Sequence, residues 1–385
     1  MNIPLNKPYW GKREEEAVIR AMRTGTGVGD GGNTRVATEK LKTLIGSRYC
    51  YLVTSCTSAM DIALLALGLK PEEEVIVPSF TLSATATPVL LAGGRPVFAD
   101  IDPVTYCIDP LDIEKVITKR TRGIMVVHYA GMAAPMEKIL ALAKAYKLWV
   151  VEDAAHAIGA YYHRGPAFGA HQGRASHLGT FGIAGAFSFH GTKNVCCGEG
   201  GAIVTDDPEL SGKIDVLRAV GTNRSAFLAG KVSLYEWVGE GSSYLLSDIL
   251  ASILINQIDR IDRINKKRGQ IASFYNKIFQ PYSHVIRLPS VPEGAVPNWH
   301  IYALKFKTES RRKNFQTKMR QKGIEVSTHY VPLHSSPMGR KLGGDRRKLT
   351  VTEDVARTLV RMPIYPGLTE KEQEYVAREA KKILD

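Results

Sequence analysis

The 385-residue sequence predicts an α/β protein: a large domain on a mostly parallel seven-stranded sheet, covered on both faces, followed by a smaller C-terminal α/β domain. Short apolar runs alternate with amphipathic helical patterns through the first two-thirds of the chain, the rhythm of βαβ crossovers. Several of these runs end in residues with chemical capability, at the strand ends where such sheets bind ligands. Beyond Gln280-Pro281 the texture changes to isolated strands between charged helices.

Strands are expected at Tyr49–Val53, Glu74–Val77, Pro96–Ala99, Gly123–Val127, Leu148–Glu152, Ala186–Phe189 and Ala202–Thr205. Helical patterns separate them at Ser58–Leu67, Ser83–Ala92, Met136–Tyr146 and Pro208–Ala219. After Ser247, an N-cap candidate, Leu250, Leu254, Ile258, Ile261 and Ile264 recur at three- and four-residue spacing and predict one long helix. Strands near Ile301–Phe306 and Ile324–Tyr330 alternate with helices around Arg311–Gln321 and Glu370–Ile383. The division is drawn at 1–255 for the large domain and 256–385 for the small one. No repeat of solenoid length is present.

A hydrophobic content of 44% with 23% charged residues excludes a disordered or fibrous chain. No run approaches the roughly eighteen apolar residues of a membrane span, and the opening Met1–Lys7 lacks a signal-peptide apolar core. A cytoplasmic location is therefore expected, and five cysteines without a CxxC spacing fit reduced thiols. The net charge of +13 suits nucleic acid, a membrane surface or a phosphorylated small molecule. No zinc-finger spacing, basic zipper or aromatic RNA-binding signature accompanies it, so neither nucleic acid nor a membrane is the expected partner.

The apolar strand at Leu148–Glu152 runs into Glu152-Asp153-Ala154-Ala155-His156, and a carboxylate at such a strand end needs a partner or a task. Alone, it reads first as a capping Asp followed by a satisfied histidine, and only its context changes that balance. Ser188-Phe189-His190-Gly191-Thr192-Lys193-Asn194 follows another apolar strand and precedes Gly198-Glu199-Gly200-Gly201. In this mostly uncharged segment an ammonium is poorly solvated, which lowers a lysine pKa toward nucleophilic use; the plain alternative is a surface loop. Thr54-Ser55-Cys56-Thr57-Ser58-Ala59-Met60 lies between the first strand and a helix, where backbone N–H groups and the Thr57 and Ser58 hydroxyls make either a phosphate site or a simple cap.

Phosphate cradle, buried carboxylate and lysine are the three groups that pyridoxal 5′-phosphate (PLP) requires: an amine for its aldehyde, a helix N-terminus for its phosphate and an acid beside its ring nitrogen. With these motifs the sequence resembles, over nearly its whole length, the DegT/DnrJ/StrS sugar-nucleotide aminotransferases, of the aspartate-aminotransferase-like fold (PLP fold type I). The resemblance implies that Lys193 carries the cofactor and shuttles the proton, that Asp153 faces the ring nitrogen, and that His156 lies beside the ring hydroxyl. It assigns Thr57, Ser58 and Ser188 to the phosphate, and Gly241–Asp248, with Ser243, to the neighbouring subunit's cofactor in a homodimer with shared active sites. Ser243, Gly221–Ser225 and Gly29–Gly32 resemble the dTDP-4-amino-4,6-dideoxygalactose transaminase branch. L-Glutamate and a nucleotide-linked keto-sugar are the implied substrates; action at C3, the gluco epimer, or a non-catalytic regulator that binds PLP or nucleotide sugar are the alternatives.

Two positions depart from the family pattern. Leu82 stands where an aromatic residue usually stacks on the cofactor ring, leaving Leu82 or Phe80 for that contact. His163–Ala184 is longer than the branch normally shows and is expected to be a surface loop. In Ser327–His334, two histidines five apart fall on opposite faces of a strand with no carboxylate or Cys beside them, which argues against a metal. The resemblance places His329 and Tyr330 near the substrate diphosphate; His334 reads equally as packing between the domains.

Overall fold

A computed structural model describes residues 1–25, 27–163 and 175–385. Seven strands form the large sheet: β1 (Tyr49–Val53), β2 (Glu74–Pro78), β3 (Arg95–Ala99), β4 (Thr121–Val127), β5 (Trp149–Asp153), β8 (Ala184–Ser188) and β9 (Gly201–Thr205). Their order is β1-β9-β8-β5-β4-β2-β3. Pairings from β3 across to β8 are parallel, and only β8–β9 and β9–β1 are antiparallel. Every residue of β2, β8 and β9 is buried, as expected for strands covered on both faces. The carboxyl ends of β5 and β8 are neighbours, which brings Asp153 and the segment after Ser188 to one edge of the sheet.

The helix Cys56–Ala66 starts close against β9, and a Cβ at Gly201 would collide with the backbone of Ser55 and Cys56. Glycine at this position lets the helix N-terminus reach the sheet edge.

The chain also has two N-terminal helices, Lys12–Arg23 and Gly32–Ile45, which the strand–helix rhythm does not announce. The fully buried Asp248 caps the second of them, accepting from the backbone N–H and side chains of Asn33 and Thr34 at 2.7–3.3 Å. Within the Gly29–Gly32 motif, Asp30 at φ 60° forms a bidentate pair with the buried Arg218 at 2.8 and 2.9 Å.

The single long helix expected after Ser247 is two helices, Asp248–Ile258 and Ile261–Phe279. The break at Asp259-Arg260 has a physical cause. Arg260 turns its guanidinium to the carbonyls of Asn256 and Tyr9 and forms a short ion pair with Glu14, clamping the first helix to the corner. Ser247 holds the N-cap position, yet its hydroxyl donates to Gly27 O at 3.1 Å instead of capping. Ser83–Ala92 likewise divides into a short 3-10 turn and the helix Thr87–Leu91.

A second core lies around β10 (Ile286–Arg287), β12 (Tyr302–Phe306) and β13 (Leu359–Met362), packed by Tyr275, Phe279, Phe306 and Phe315. The N-terminal Ile3 is buried in it. Ile324–Tyr330 is not a continuous strand: it makes single bridges, Ile324 to Ile3 and Ser327 to Arg361, with Ile3 inserted where a sheet partner would run.

The expected surface loop His163–Ala184 differs from its prediction. Residues 164–174 lie outside the described residues and His163 is exposed, but residues 175–184 are packed. β7 (Ser176–His177) pairs with β6 (Tyr161–Tyr162), which pairs in turn with β11 (Ala295–Val296). His177 and Leu178 are buried. The fully buried Glu152 accepts the backbone N–H of Gly179, Phe181 and Gly182 at 2.8, 2.6 and 2.6 Å, and hydrogen-bonds His128 Nε2 at 2.8 Å. Four donors satisfy this buried carboxylate and draw the segment onto the sheet.

Candidate active site

One cleft of about 580 Å³ opens at the carboxyl ends of β5 and β8, between the large sheet and the second core. Asp153, His156, Ser188 and Lys193 line it from the sheet side, and His329, Tyr330 and Arg361 from the other. The sequence therefore identified residues that the fold does gather in one place.

Asp153 ends β5, buried to 6% exposure. Its Oδ2 accepts from Thr85 Oγ1 at 2.8 Å, and Thr85 in turn shares a 2.8 Å hydrogen bond with Thr81. Its Oδ1 accepts from Ala155 N at 3.1 Å and more weakly from Cys56 Sγ at 3.9 Å. These contacts fix the carboxylate on the cleft wall without giving it a salt bridge among the described residues.

Lys193 follows the turn after β8, with its N–H donating to His190 O at 2.8 Å. Its Nζ makes no hydrogen bond or ion pair among the described residues. Burial lowers its pKa, and Arg361 nearby adds to the effect, while Cys56 and Asp153 oppose it. The adjacent Asn194 anchors the turn: its side-chain amide donates to Asn265 Oδ1 and Asn298 O at 2.9 and 3.0 Å. His300 Nδ1 completes the anchor at 2.9 Å from Asn194 Oδ1.

The N-terminus of helix Cys56–Ala66 forms the third side. Ser55 is its N-cap and accepts from Ser58 N at 3.0 Å; Ser58 Oγ bonds Ser55 and Thr54. Ser55, Cys56 and Thr57 line the cleft, and the Cys56 and Thr57 N–H groups have no intrahelical partner, as at any helix start. Ser58, the third residue of the helix, does not line the cleft. Ser188 does line it, and its hydroxyl accepts from His190 N at 3.4 Å. Ser243 is exposed and does not line the cleft of its own chain.

His156 Nδ1 accepts from Ala130 N at 3.3 Å, which places the ring proton on Nε2. Its ring lies 4.5 Å from that of His300 and 6.5 Å from His329, which stacks on Tyr330 at 4.0 Å. Burial holds His156 and His300 well below the usual histidine pKa and His329 down to about 2. The three rings are thus neutral at neutral pH. Below pH 6.5 the unfolded chain takes up protons that the folded chain refuses, so stability is lost as pH falls through that value. Each such histidine steepens the loss by up to about 1.4 kcal/mol per pH unit. We expect His329→Gln to flatten the stability profile between pH 6.5 and 4.5 by about that slope, measured by urea unfolding.

Leu82 faces the cleft and is 57% exposed, whereas Phe80 is buried among Tyr129 and Tyr330 and does not line it. His334 is buried between Ser79 and Glu353, Nδ1 to Ser79 Oγ at 2.7 Å and Nε2 to Glu353 Oε1 at 3.4 Å, a packing role. No group of residues suited to a metal ion occurs among the described residues. Among the described residues no helix is long and apolar enough to cross a membrane.

The sequence did not single out Thr85, Asn194, His300 or Arg361. Asn194 alone had a signal, its place next to Lys193; the others are ordinary residues in ordinary segments.

A free amine, a fixed buried carboxylate and the free N–H groups of a helix start, arranged around one cleft, fit PLP. The profile of the DegT/DnrJ/EryC1/StrS aminotransferase family matches residues 8–381. Over 99% of its length the chain is 34% identical to an uncharacterized protein of Methanocaldococcus jannaschii, MJ1066, covering 97% of it. It is 31% identical to the spore coat polysaccharide biosynthesis protein SpsC of Bacillus subtilis, again over 99% of this chain and 97% of that one. The solved structure of NtdA from B. subtilis, with bound cofactor PMP, superposes with a TM-score of 0.85 at 29% identity, covering 97% of this chain and 82% of NtdA. The chain belongs to the DegT/DnrJ/EryC1/StrS family and is a PLP-dependent aminotransferase.

Proposed function

We propose that the chain transfers the amino group of L-glutamate to the C4 ketone of a dTDP-linked 4-keto-6-deoxyhexose, giving a dTDP-4-amino-4,6-dideoxyhexose of galactose configuration. The observation that carries the reading is Lys193: an amine without a hydrogen-bond partner among the described residues, after the turn that follows β8, on the same cleft as the fixed carboxylate of Asp153. Support for the sugar and its position comes from the Ser243, Gly221–Ser225 and Gly29–Gly32 motifs. The name of SpsC points the same way, toward a surface polysaccharide.

PLP, when bound, supplies an electron sink for the carbon that loses its proton. The chain's own residues do the rest. Lys193 Nζ would hold the cofactor and would serve as the base for the proton on the donor's α-carbon and as the acid that supplies one to the sugar C4. Asp153, held by Thr85 and Ala155, would place a negative charge beside the ring nitrogen and so favour its protonated form. Thr57, Ser58 and Ser188 serve the phosphate, Thr57 and Ser188 from the cleft wall and Ser58 through the cap it shares with Ser55. His156, a neutral donor through Nε2, would hold the ring hydroxyl, and Leu82, on the cleft wall, would pack on the ring. His329 and Tyr330 meet the nucleotide-sugar. Ser243 serves the partner subunit's site in a homodimer, which accounts for its exposure here.

Incubation with dTDP-4-keto-6-deoxyglucose and L-glutamate, followed by NMR of the product, tests the reading. An axial amine at C4, seen as a small H3–H4 coupling, is expected. An equatorial C4 amine, an amine at C3, or cofactor binding without turnover would replace it with the gluco, C3 or regulatory alternative respectively.

A further inference from the structure

Arg268, on the helix Ile261–Phe279, is a cation sealed inside the molecule at 1% exposure. It makes no ion pair with a carboxylate among the described residues, and its Nε has no hydrogen-bond partner. Burial pushes its pKa down to about 9. A buried charge without an opposite charge is costly, and an apolar side chain of similar volume would fill the space at lower cost. Packing alone therefore does not account for arginine at this position.

The donors that Arg268 does use lead toward Lys193 on both sides. Nη1 donates to the carbonyls of Trp299 and His300 at 3.3 and 3.1 Å, and Nη2 donates to Asn6 Oδ1 at 3.1 Å. Asn6, on the cleft wall, donates its own Nδ2 to Thr192 O at 2.6 Å. The residue before the lysine is thus tied to Arg268 through one side chain. Asn6 is itself held in place, since Ile3 is buried in the second core and Trp10 Nε1 donates to Cys196 O at 3.3 Å. The residue after the lysine is reached through the other arm: Asn194 donates to Asn298 O and hydrogen-bonds His300, the two neighbours of Trp299. Trp299 stands at φ 52°, a left-handed conformation that a bulky side chain rarely adopts, and the bonds from Nη1 clasp the backbone at that turn.

We infer that Arg268 is a positioning residue for Lys193, bracketing it through Asn6 to Thr192 and through the 298–300 turn to Asn194. The inference rests on the role proposed for Lys193. An amine that holds a cofactor and also moves a proton must be placed to within a fraction of an ångström. Lys193 Nζ has no hydrogen bond of its own among the described residues, so its placement depends on the backbone to either side. A guanidinium suits this task because one rigid, planar fork serves two directions at once.

The test compares full-length wild-type, Arg268→Met, Arg268→Lys and Asn6→Ala protein by two readouts: hydrogen exchange of the chain without cofactor, and the rate at which L-glutamate bleaches the visible band of the PLP-loaded enzyme. In Arg268→Met, exchange is expected to quicken about tenfold across Phe189–Cys197 and to stay within about twofold of wild type in β5 and β12. The maximal bleaching rate should fall about 100-fold, with the half-saturating L-glutamate concentration within about threefold of wild type. Arg268→Lys, which keeps the charge and part of the reach, should recover about tenfold of that loss. Asn6→Ala should cost about tenfold alone and nothing further in the Arg268→Met background, since both cut the same tie. Arg268→Lys and Asn6→Ala carry the measurement if Arg268→Met does not fold. Bleaching at the wild-type rate overturns the inference, as does exchange that quickens equally along Ile261–Phe279 and β12, which would make Arg268 an ordinary packing residue. A wild-type enzyme that L-glutamate does not bleach would instead remove the donor reading, and the exchange contrast then decides the inference by itself.

Discussion

Lys193→Ala is expected to lower turnover by about ten-thousand-fold or more, because one substitution removes both the attachment point and the acid/base. Loss of stability should not accompany it. Lys193 Nζ has no hydrogen-bond partner among the described residues and burial disfavours its charge, so alanine removes a desolvation cost and no hydrogen bond. The unliganded variant should melt at or above the wild-type temperature, measured by scanning calorimetry at neutral pH. Turnover of the wild type should rise with pH through the lysine's own titration, at a value below the 10.5 of an ordinary lysine. Lys193→Arg should not rescue it, since a guanidinium stays protonated throughout.

The second large effect is expected at Asp153. Asp153→Asn keeps the shape and the hydrogen bonds from Ala155 and Cys56 but removes the charge. With no anion beside it, the ring nitrogen loses its proton and the electron sink weakens, so kcat should fall about 100- to 1,000-fold. Steady-state kinetics should show the loss mainly in kcat, and cofactor titration a smaller loss of affinity. A loss in KM for the sugar alone would give Asp153 a different role.

These two residues were the most legible part of the sequence, for one physical reason. A charged side chain at the end of an apolar strand, or in the small, uncharged turn that follows one, is anomalous within a short window; Asp153 is the first case and Lys193 the second. Strand periodicity announced the large sheet equally well, since β2, β8 and β9 are buried on both faces and read as unbroken apolar runs. What escaped notice depends on contacts between distant segments. The helix break at Asp259-Arg260 is held by Glu14 and Tyr9, some 250 residues away, and apolar spacing runs through the corner without a mark. The buried course of Ser176–Ala184 depends on Glu152, whose partners are backbone N–H groups with no sequence signature. Thr85 and Arg361 acquire meaning only through Asp153 and the cleft.

The large domain thus supplies the lysine, the carboxylate and the helix start as fixed features of the sheet edge, while the segments around β12 and β13 supply a wall with His329, Tyr330 and Arg361.

The most direct test of the account is reduction of the PLP-loaded protein with borohydride, followed by proteolysis and mass spectrometric mapping of the modified peptide. The account predicts a single phosphopyridoxyl adduct on Lys193. An adduct on any other lysine, or none in a protein that retains its cofactor, would contradict it.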